Sequence, residues 1–527
     1  MSGRLTFDGL IAGRCDRDDD RPVLVTADDK PMTAEEFDRR AGLAASWMTA
    51  QGVGRGDRIA IWLNNSATWL VLLFGAARIG AVVAAVNTRY RTAELHHILR
   101  SSRARLLIFD SNDTRADFWG MIAELDFESL PDLTALASTD GGEAIAGLPV
   151  AACRFDDLDP TPPLNAGPSD PVALFTTSGT TSKPKLVLHT QETLCLHATL
   201  CAAAYAFDHP AARYLAAMPF CGVFGLNPTL AAFAGGSPIH IMPVFNVELA
   251  VEIARRNAIT HFFGSDEMFR QMWDNDRRAF GAATLCGYAS FTPGLGSTLR
   301  QMAADGLPLA GLYGASEVNA IFSVQPMSLP IDKRLQGGGW PAGGDAVSIR
   351  VRNTETGALC LPREVGVLEI RAPTNFKGYF ENPEATAKAV DVDGYFVSDD
   401  TGYLRNDGSF VYLARKGDFV RLSGFLTDPA EIEEVIEQVA GVAKAQVVGV
   451  THDGKTRPVA FIVAQPGENP DPDAVTAHTR ALVAHYKVPL AVIRIDAFPT
   501  TESANGLKIQ KTRLREMAEA LLSGDPA

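Results

Sequence analysis

The sequence predicts an α/β protein: a large N-terminal domain with two doubly wound parallel-type sheets and a smaller β subdomain, then a small mobile α+β C-terminal domain. Three observations predict it. The chain has 527 residues, more than one compact core ordinarily serves. Its first part alternates short β-rich runs with helical patterns, the rhythm of parallel strands covered by helices on both faces. Near Asp407 the texture changes to strand, turn, strand and helix, which sets off a separate small domain.

The elements follow in order. DRIAIWL (Asp57 to Leu63) reads as a strand, Ser66 to Ala77 as a helix and AVVAAVN (Ala81 to Asn87) as a second strand. Ala93 to Ser101 reads as a helix and ARLLIFD (Ala104 to Asp110) as a third strand. The rhythm returns between Leu194 and Leu312 after a Pro-rich connection, DLDPTPPLNAGPSD, at Asp157 to Asp170. YLARKGDFVRLSG and a helix from Pro429 to Val439 open the small domain, and a last helix follows Thr512. Gly417 offers backbone freedom at the joint, so the expected division is 1–416 and 417–527.

Composition bounds the function. Apolar residues make up 46% and charged residues 21%, ordinary for a globular chain with a large core. A formal charge of -14 excludes nucleic acid or an anionic membrane as the main partner. The seven cysteines form no CxxC pair, so neither a disulfide framework nor a zinc site is expected, and a reducing cytoplasm is. The first residues lack the apolar stretch of a signal peptide, and SGDPA carries no prenylation cysteine. The apolar run Trp69 to Val86 approaches membrane-spanning length, but Arg78 lies within it and Gly75 and Gly80 interrupt it. It reads as a core helix, a turn and a buried strand, with no integral membrane association.

Five stretches could carry chemistry. TTSGTTSKPK, Thr176 to Lys185, follows an apolar strand; small hydroxyl residues around Gly179 let amides and hydroxyls face one anion, and Lys185 adds charge. The Walker pattern is not met, because Pro184 stands where its second glycine would fall. YGASE, Tyr313 to Glu317, offers a ring for a purine and a carboxylate for Mg²⁺. GYFENPEAT and GYFVSDDTGYL follow, and Asp400 in the second could accept two ribose hydroxyls. Lys508 comes just after a flexible Asn-Gly turn. Taken singly these read as a Ser/Thr-rich turn, a packed aromatic, a solvated acid and a surface lysine.

In this order and spacing they resemble the adenylate-forming superfamily of acyl-CoA synthetases, luciferases and peptide-synthetase adenylation domains, most of all its fatty-acyl-CoA-ligase-like members. The resemblance runs from about Arg21 to Arg515 and includes GVGRGDRIAIWLNNS, GAVVAAVN and ARKGDFVRLSGFLTDPAEIE. It implies an ATP-dependent acid–thiol ligase with ATP, Mg²⁺ and coenzyme A as cofactors and a carboxylic acid as substrate. Thr176, Thr177, Ser178, Gly179, Thr180 and Thr181 with Lys185 would wrap the β- and γ-phosphates. Tyr313, with Gly314 and Ser316, would meet adenine, and Ala289 to Thr292, including Ser290 and Phe291, would lie near it. Glu317 would hold Mg²⁺, Asp400 the ribose, assisted by Arg415, and Lys508 would bridge the substrate carboxylate and the α-phosphate. Gly417, Asp418, Ser423 and Gly424 would form the hinge and the loop that serves the thiol step after the small domain swings. A homodimer is compatible with the resemblance.

The chain departs from the family pattern at several points. Ser182 and Leu186 replace two loop glycines, Leu186 adding bulk close to the loop, and Ser398-Asp399-Asp400 replaces TGD. A second acid beside the AMP phosphates costs affinity unless it points to solvent. Two readings of the enzyme follow: a complete acyl-CoA ligase, or a half-specialised one that binds acyl-AMP and performs only the transfer to CoA. A third would load a separate carrier protein. On the acyl side, MPFCGVFG matches a family motif with Gly222 at the usual bulky gate. Gly225, Gly264 and Ala315 would keep the pocket wide, while Phe220, Val223, Phe224 and Met268 would make it apolar. The expected acid is bulky or long and hydrophobic.

Overall fold

The computed structural model describes residues 5–523 except 18–19, 114, 156–157, 163–165, 178–183, 293–294, 416–419, 423–424, 428, 453–454 and 504–505. At 421, 425–426, 455, 502–503, 506–508 and 523 it describes the backbone alone. The predicted strand–helix rhythm forms an eight-stranded sheet. Arg58–Trp62 lies between Val82–Ala85 and Leu106–Phe109, all parallel, and the parallel set continues to Pro171–Thr176 on one side and to Ala135–Ser138 and Leu148–Ala152 on the other. Leu186–Thr190 closes one edge antiparallel to Pro171–Thr176.

The apolar run Trp69 to Val86 divides as its glycine implies. Helix Ala67–Ile79 is capped by the Ser66 side chain and ends at Gly80, whose φ of 74° is left-handed; strand Val82–Ala85 follows. Arg78, 3% exposed, is paired with Asp8 at 2.8 Å and Asp38 at 2.5 Å. Among the described residues no helix is long and apolar enough to cross a membrane. All seven cysteines are unpaired.

The second sheet has thirteen strands and two characters. Leu24–Val25, Ile239–Ile241, Tyr214–Ala216, His261–Ser265, Leu285–Ala289 and Leu309–Ala315 run parallel. From Leu309–Ala315 onward every pairing is antiparallel, through Asn319–Val324 and Gly337–Pro341 to Phe410–Arg415, Phe396–Leu404, Gly366–Arg371 and Ser348–Arg352. The expected β subdomain is therefore continuous in hydrogen bonding with the second sheet. Residues 420–522 build their own two cores on opposite faces of a three-stranded sheet, one around Val447, Ile432 and Ile462, the other around Val448, Phe461 and Leu514.

The Leu186 side chain enters the core. At 3% exposure it packs with Leu99, Leu174 and Val82 inside the first domain, because strand alternation turns it inward while Val187 faces the other core. Leu186→Ala is therefore expected to destabilise the chain by about 2–5 kcal/mol, read as a lower denaturation midpoint in urea.

Candidate active site

The phosphate-loop hairpin has a closed neck. The Thr177 N–H donates to the Lys185 carbonyl at 3.0 Å, and the Lys185 N–H donates to Thr177 Oγ1 at 3.2 Å. Thr176 Oγ1 lies 3.1 Å from the Tyr90 hydroxyl. Ser178, Gly179, Thr180, Thr181 and Ser182 lie outside the described residues. The neck carries the Lys185 ammonium over the ring of Tyr379, 4.7 Å from its centroid.

Tyr379, which sequence reasoning did not single out, reaches that place through main-chain pairing. Residues 377–380 lie along the free edge of Leu186–Thr190: Lys377 N donates to Leu188 O, Leu188 N to Gly378 O and Phe380 N to Leu186 O, at 2.8–3.0 Å. Gly378 has φ 129°, and a Cβ there would stand 2.9 Å from Thr386. The Tyr379 hydroxyl then donates to Glu317 Oε1 at 2.8 Å, while Phe376 N donates to the Glu317 carbonyl at 2.7 Å. Glu317 is held at both ends. Burial raises its carboxyl above the usual range; the Tyr379 hydrogen bond and the Arg415 charge oppose that shift, and the Asp400 charge adds to it.

Behind Glu317 the chain is strained. Asn319 and Ile321 have φ of 72° and 50°, a region that a β-branched residue rarely enters. Gly314 lies opposite, where a Cβ would come within 2.6 Å of Ala320 Cα. Buried partners hold this backbone. Asn227 Oδ1 accepts from Ala320 N at 2.7 Å, and Asn227 Nδ2 donates to Asn319 Oδ1 at 3.2 Å. Asn319 Nδ2 donates to Thr374 O at 2.8 Å, and the Tyr205 hydroxyl donates to Ile321 O at 3.0 Å. His197 Nε2 lies 2.8 Å from Ala320 O, and His189 Nε2 2.8 Å from Ser316 O. Burial lowers both imidazoles to about 4. They are neutral near pH 7, and a ring nitrogen facing a carbonyl must carry the proton. A single sequence offers no signal for this support, since buried Asn and His look like any polar residue in a helix.

Asp400 and Arg415 are cross-strand partners, with Arg415 Nε 3.7 Å from Asp400 Oδ1. The Tyr313 hydroxyl donates to Asp400 Oδ2 at 2.7 Å. The Tyr313 ring packs edge-on against Phe410, 5.3 Å away, and beside Tyr412 at 5.4 Å. At 4% exposure this ring is floor rather than flap. Ser398 Oγ donates to Leu368 O at 2.7 Å and accepts from Asp400 N at 3.2 Å. Asp399 alternates outward and is exposed. Lys185, Tyr379, Glu317, Arg415, Asp400 and Tyr313 thus occupy one seam between the edge of the first sheet and the antiparallel half of the second.

The acyl side is more closely filled than its glycines imply. A Cβ on Gly225 would stand 2.1 Å from Pro219 O, so this glycine admits the backbone of Met218–Pro219 and opens no space. The room above Gly264 is taken by Met268, whose Sδ and Cε would touch a Cβ there at 3.4 Å. Phe220 and Val223 are buried, Gly222 and Ala315 half-buried, and Phe224 meets Phe291 edge-to-face at 6.4 Å. Lys508 lies on strand Gly506–Ile509, opposite Thr501, and its side chain is outside the described residues, as are Gly417, Asp418, Ser423 and Gly424.

Comparison with known proteins identifies the family. The model of the AMP-binding enzyme family matches residues 11–380, and that of the AMP-binding enzyme C-terminal domain matches residues 431–505. The chain belongs to the AMP-binding enzyme family and so to the adenylate-forming superfamily of ATP-dependent acid–thiol ligases. It is 29% identical over 512 residues to 3-[(3aS,4S,7aS)-7a-methyl-1,5-dioxo-octahydro-1H-inden-4-yl]propanoyl:CoA ligase of Mycobacterium tuberculosis, covering 94% of this chain and 96% of the relative. It is also 29% identical over 518 residues to 3-hydroxybenzoate–CoA ligase of Aromatoleum sp., covering 95% and 94%. The crystal structure of ATP-bound MatB from Rhodopseudomonas palustris superposes with a TM-score of 0.82 at 25% identity, covering 99% of this chain and 100% of that one.

A carboxyl whose pKa is raised on folding contributes most stability while protonated, and that contribution is lost as pH climbs through the folded value. Ionising Glu317 in the folded chain thus costs stability. Glu317→Gln should be more stable than the parent at pH 7 by about 0.5–2 kcal/mol. The gain should shrink as pH falls towards 4.5, the ordinary carboxyl value, and equal denaturation midpoints at pH 7 would contradict this.

Proposed function

We propose that this chain is a complete acyl-CoA ligase that converts a bulky or long hydrophobic carboxylic acid, by way of an acyl-AMP, into its CoA thioester. The seam from Lys185 through Tyr379, Glu317 and Arg415 to Asp400 carries this reading, because it sets cationic and anionic groups in the order a nucleotide needs. The residues accord with Mg²⁺ held by Glu317 together with nucleotide phosphates. A single carboxylate suits that ion, and among the described residues no group of three or more acidic, His or Cys side chains forms a cage. When bound, the ion neutralises phosphate charge.

The chain's own groups supply the rest. Lys185 at the hairpin neck binds phosphate oxygens, Asp400 and Arg415 fix the ribose, and Tyr379 orients Glu317 and favours its charged form by donating to it. Lys508 neutralises the carboxylate and α-phosphate as they meet; without it two anions must approach in line. The acyl carbon then accepts a thiol, and AMP leaves. The small domain, which we take to begin at 417, presents Lys508 for the first step and withdraws it for the second, when residues 418–424 face the site. The packing of Leu186 in the core and the outward face of Asp399 favour full competence over transfer from acyl-AMP alone. The acyl wall of Phe220, Phe224, Phe291 and Met268 favours an apolar acid.

A complete ligase releases pyrophosphate in a burst equal to enzyme when given acid, ATP and Mg²⁺ without CoA; thioester made only from supplied acyl-AMP would overturn that reading. Lys508→Ala should slow adenylation by about 10²–10³-fold and largely spare thioester formation from preformed acyl-AMP. Equal losses in both half-reactions would contradict the alternation of the small domain. Met268→Ala should favour larger acids, raising kcat/KM for a polycyclic acid relative to butyrate, and an unchanged ratio would remove Met268 from the pocket. CoA and a phosphopantetheinylated carrier protein, compared as acceptors by mass spectrometry, decide the destination of the acyl group.

A further inference from the structure

Asp266 is fully buried at 0% exposure, and no part of the reaction described above uses it. It opens helix Asp266–Asp276 immediately after strand His261–Ser265. Its Oδ2 accepts three hydrogen bonds from one short loop: Ser290 Oγ at 3.1 Å, Phe291 N at 3.0 Å and Thr292 N at 2.9 Å. Its Oδ1 accepts from Glu267 N at 2.9 Å. A carboxylate without such partners would not remain at this depth. The two strands it ties together pair directly, Ser265 with Ala289, and it sits at their carboxyl ends, where parallel sheets receive ligands.

The loop so held is not featureless. Phe291 stands against Phe224 of helix Val223–Gly235, and Met268, two residues beyond Asp266, covers Gly264. One carboxylate therefore fixes the relation between three apolar side chains that come from separate elements. We propose that Asp266 is a positioning residue that sets the depth of the acyl pocket by anchoring Ser290–Thr292 and, through that loop, Phe291. This rests on the proposed adenylation of a hydrophobic acid at this site. Asparagine is nearly isosteric but uncharged, and it cannot present two acceptor oxygens to donors on both sides.

The test compares decanoate with butyrate in the full-length chain, by pyrophosphate release at saturating ATP and Mg²⁺. Asp266→Asn should change the ratio of the two kcat/KM values at least fivefold, through KM for the acid. Phe291→Ala should move the same ratio in the same direction, and the double variant should move it no further than the larger single change. Loss by one common factor for both acids, or strictly additive effects in the double variant, would assign Asp266 to the fold alone and overturn the proposal. Should Asp266→Asn fail to fold, Phe291→Ala still decides, because a parent-like ratio there also overturns it. An unsubstituted chain that releases no pyrophosphate with any acid would instead defeat the proposed adenylation.

Discussion

The bond between Tyr379 and Glu317 is the contact on which the arrangement of the site depends. Tyr379 belongs to a segment hydrogen-bonded along the edge of the first sheet, and Glu317 belongs to a turn of the second. Their meeting ties the edge of the first sheet to the antiparallel half of the second. It also favours the charged form of a carboxyl that burial pushes towards the neutral acid. Lys185 above the same ring adds positive charge to that seam.

Such a site has to be stiff, and the stiffness is assembled behind it. Asn319 and Ile321 stand in a backbone region that sequence-neutral sterics disfavour, at about 1–3 kcal/mol each. The side chains of Asn227, His197 and Tyr205 meet backbone groups of Ala320 and Ile321 along this unusual path. Helix Val223–Gly235, which carries Asn227, and helix Gln191–Ala204, which carries His197, thereby brace strand Asn319–Val324. Strain concentrated beside a functional carboxylate, with its supports one layer deeper, is a pattern expected where geometry matters more than stability.

The sequence made the fold class and the ordered motifs legible, because both are written locally. Apolar runs bounded by glycine mark strands, and Gly80 marks a helix end by the conformation it alone adopts cheaply. Glu317, Asp400, Arg415 and Lys185 converge in space from separated motifs. What was illegible depends on direction and depth. Whether Leu186 crowds the loop or enters the core is decided by strand alternation and by what lies on the inner face. Gly225 and Gly264 looked like absent side chains, yet backbone occupies the first space and Met268 the second. Tyr379 and Asp266 act through partners 62 and at most 26 residues away in the chain, and no spacing rule announces such pairs.

The thirteen-stranded sheet has a consequence for biogenesis. Strand Leu24–Val25 pairs locally with Pro31–Met32, but it leaves the ribosome long before its other neighbour, Ile239–Ile241, exists. The eight-stranded sheet draws only on residues 58–190 and can close while synthesis continues. The early strand must wait, together with the apolar helix Phe7–Cys15 that packs near it. Closing so long a chain loop is slow. The N-terminal residues thus act as a late fastener, drawn into a scaffold that the middle of the polypeptide has already raised.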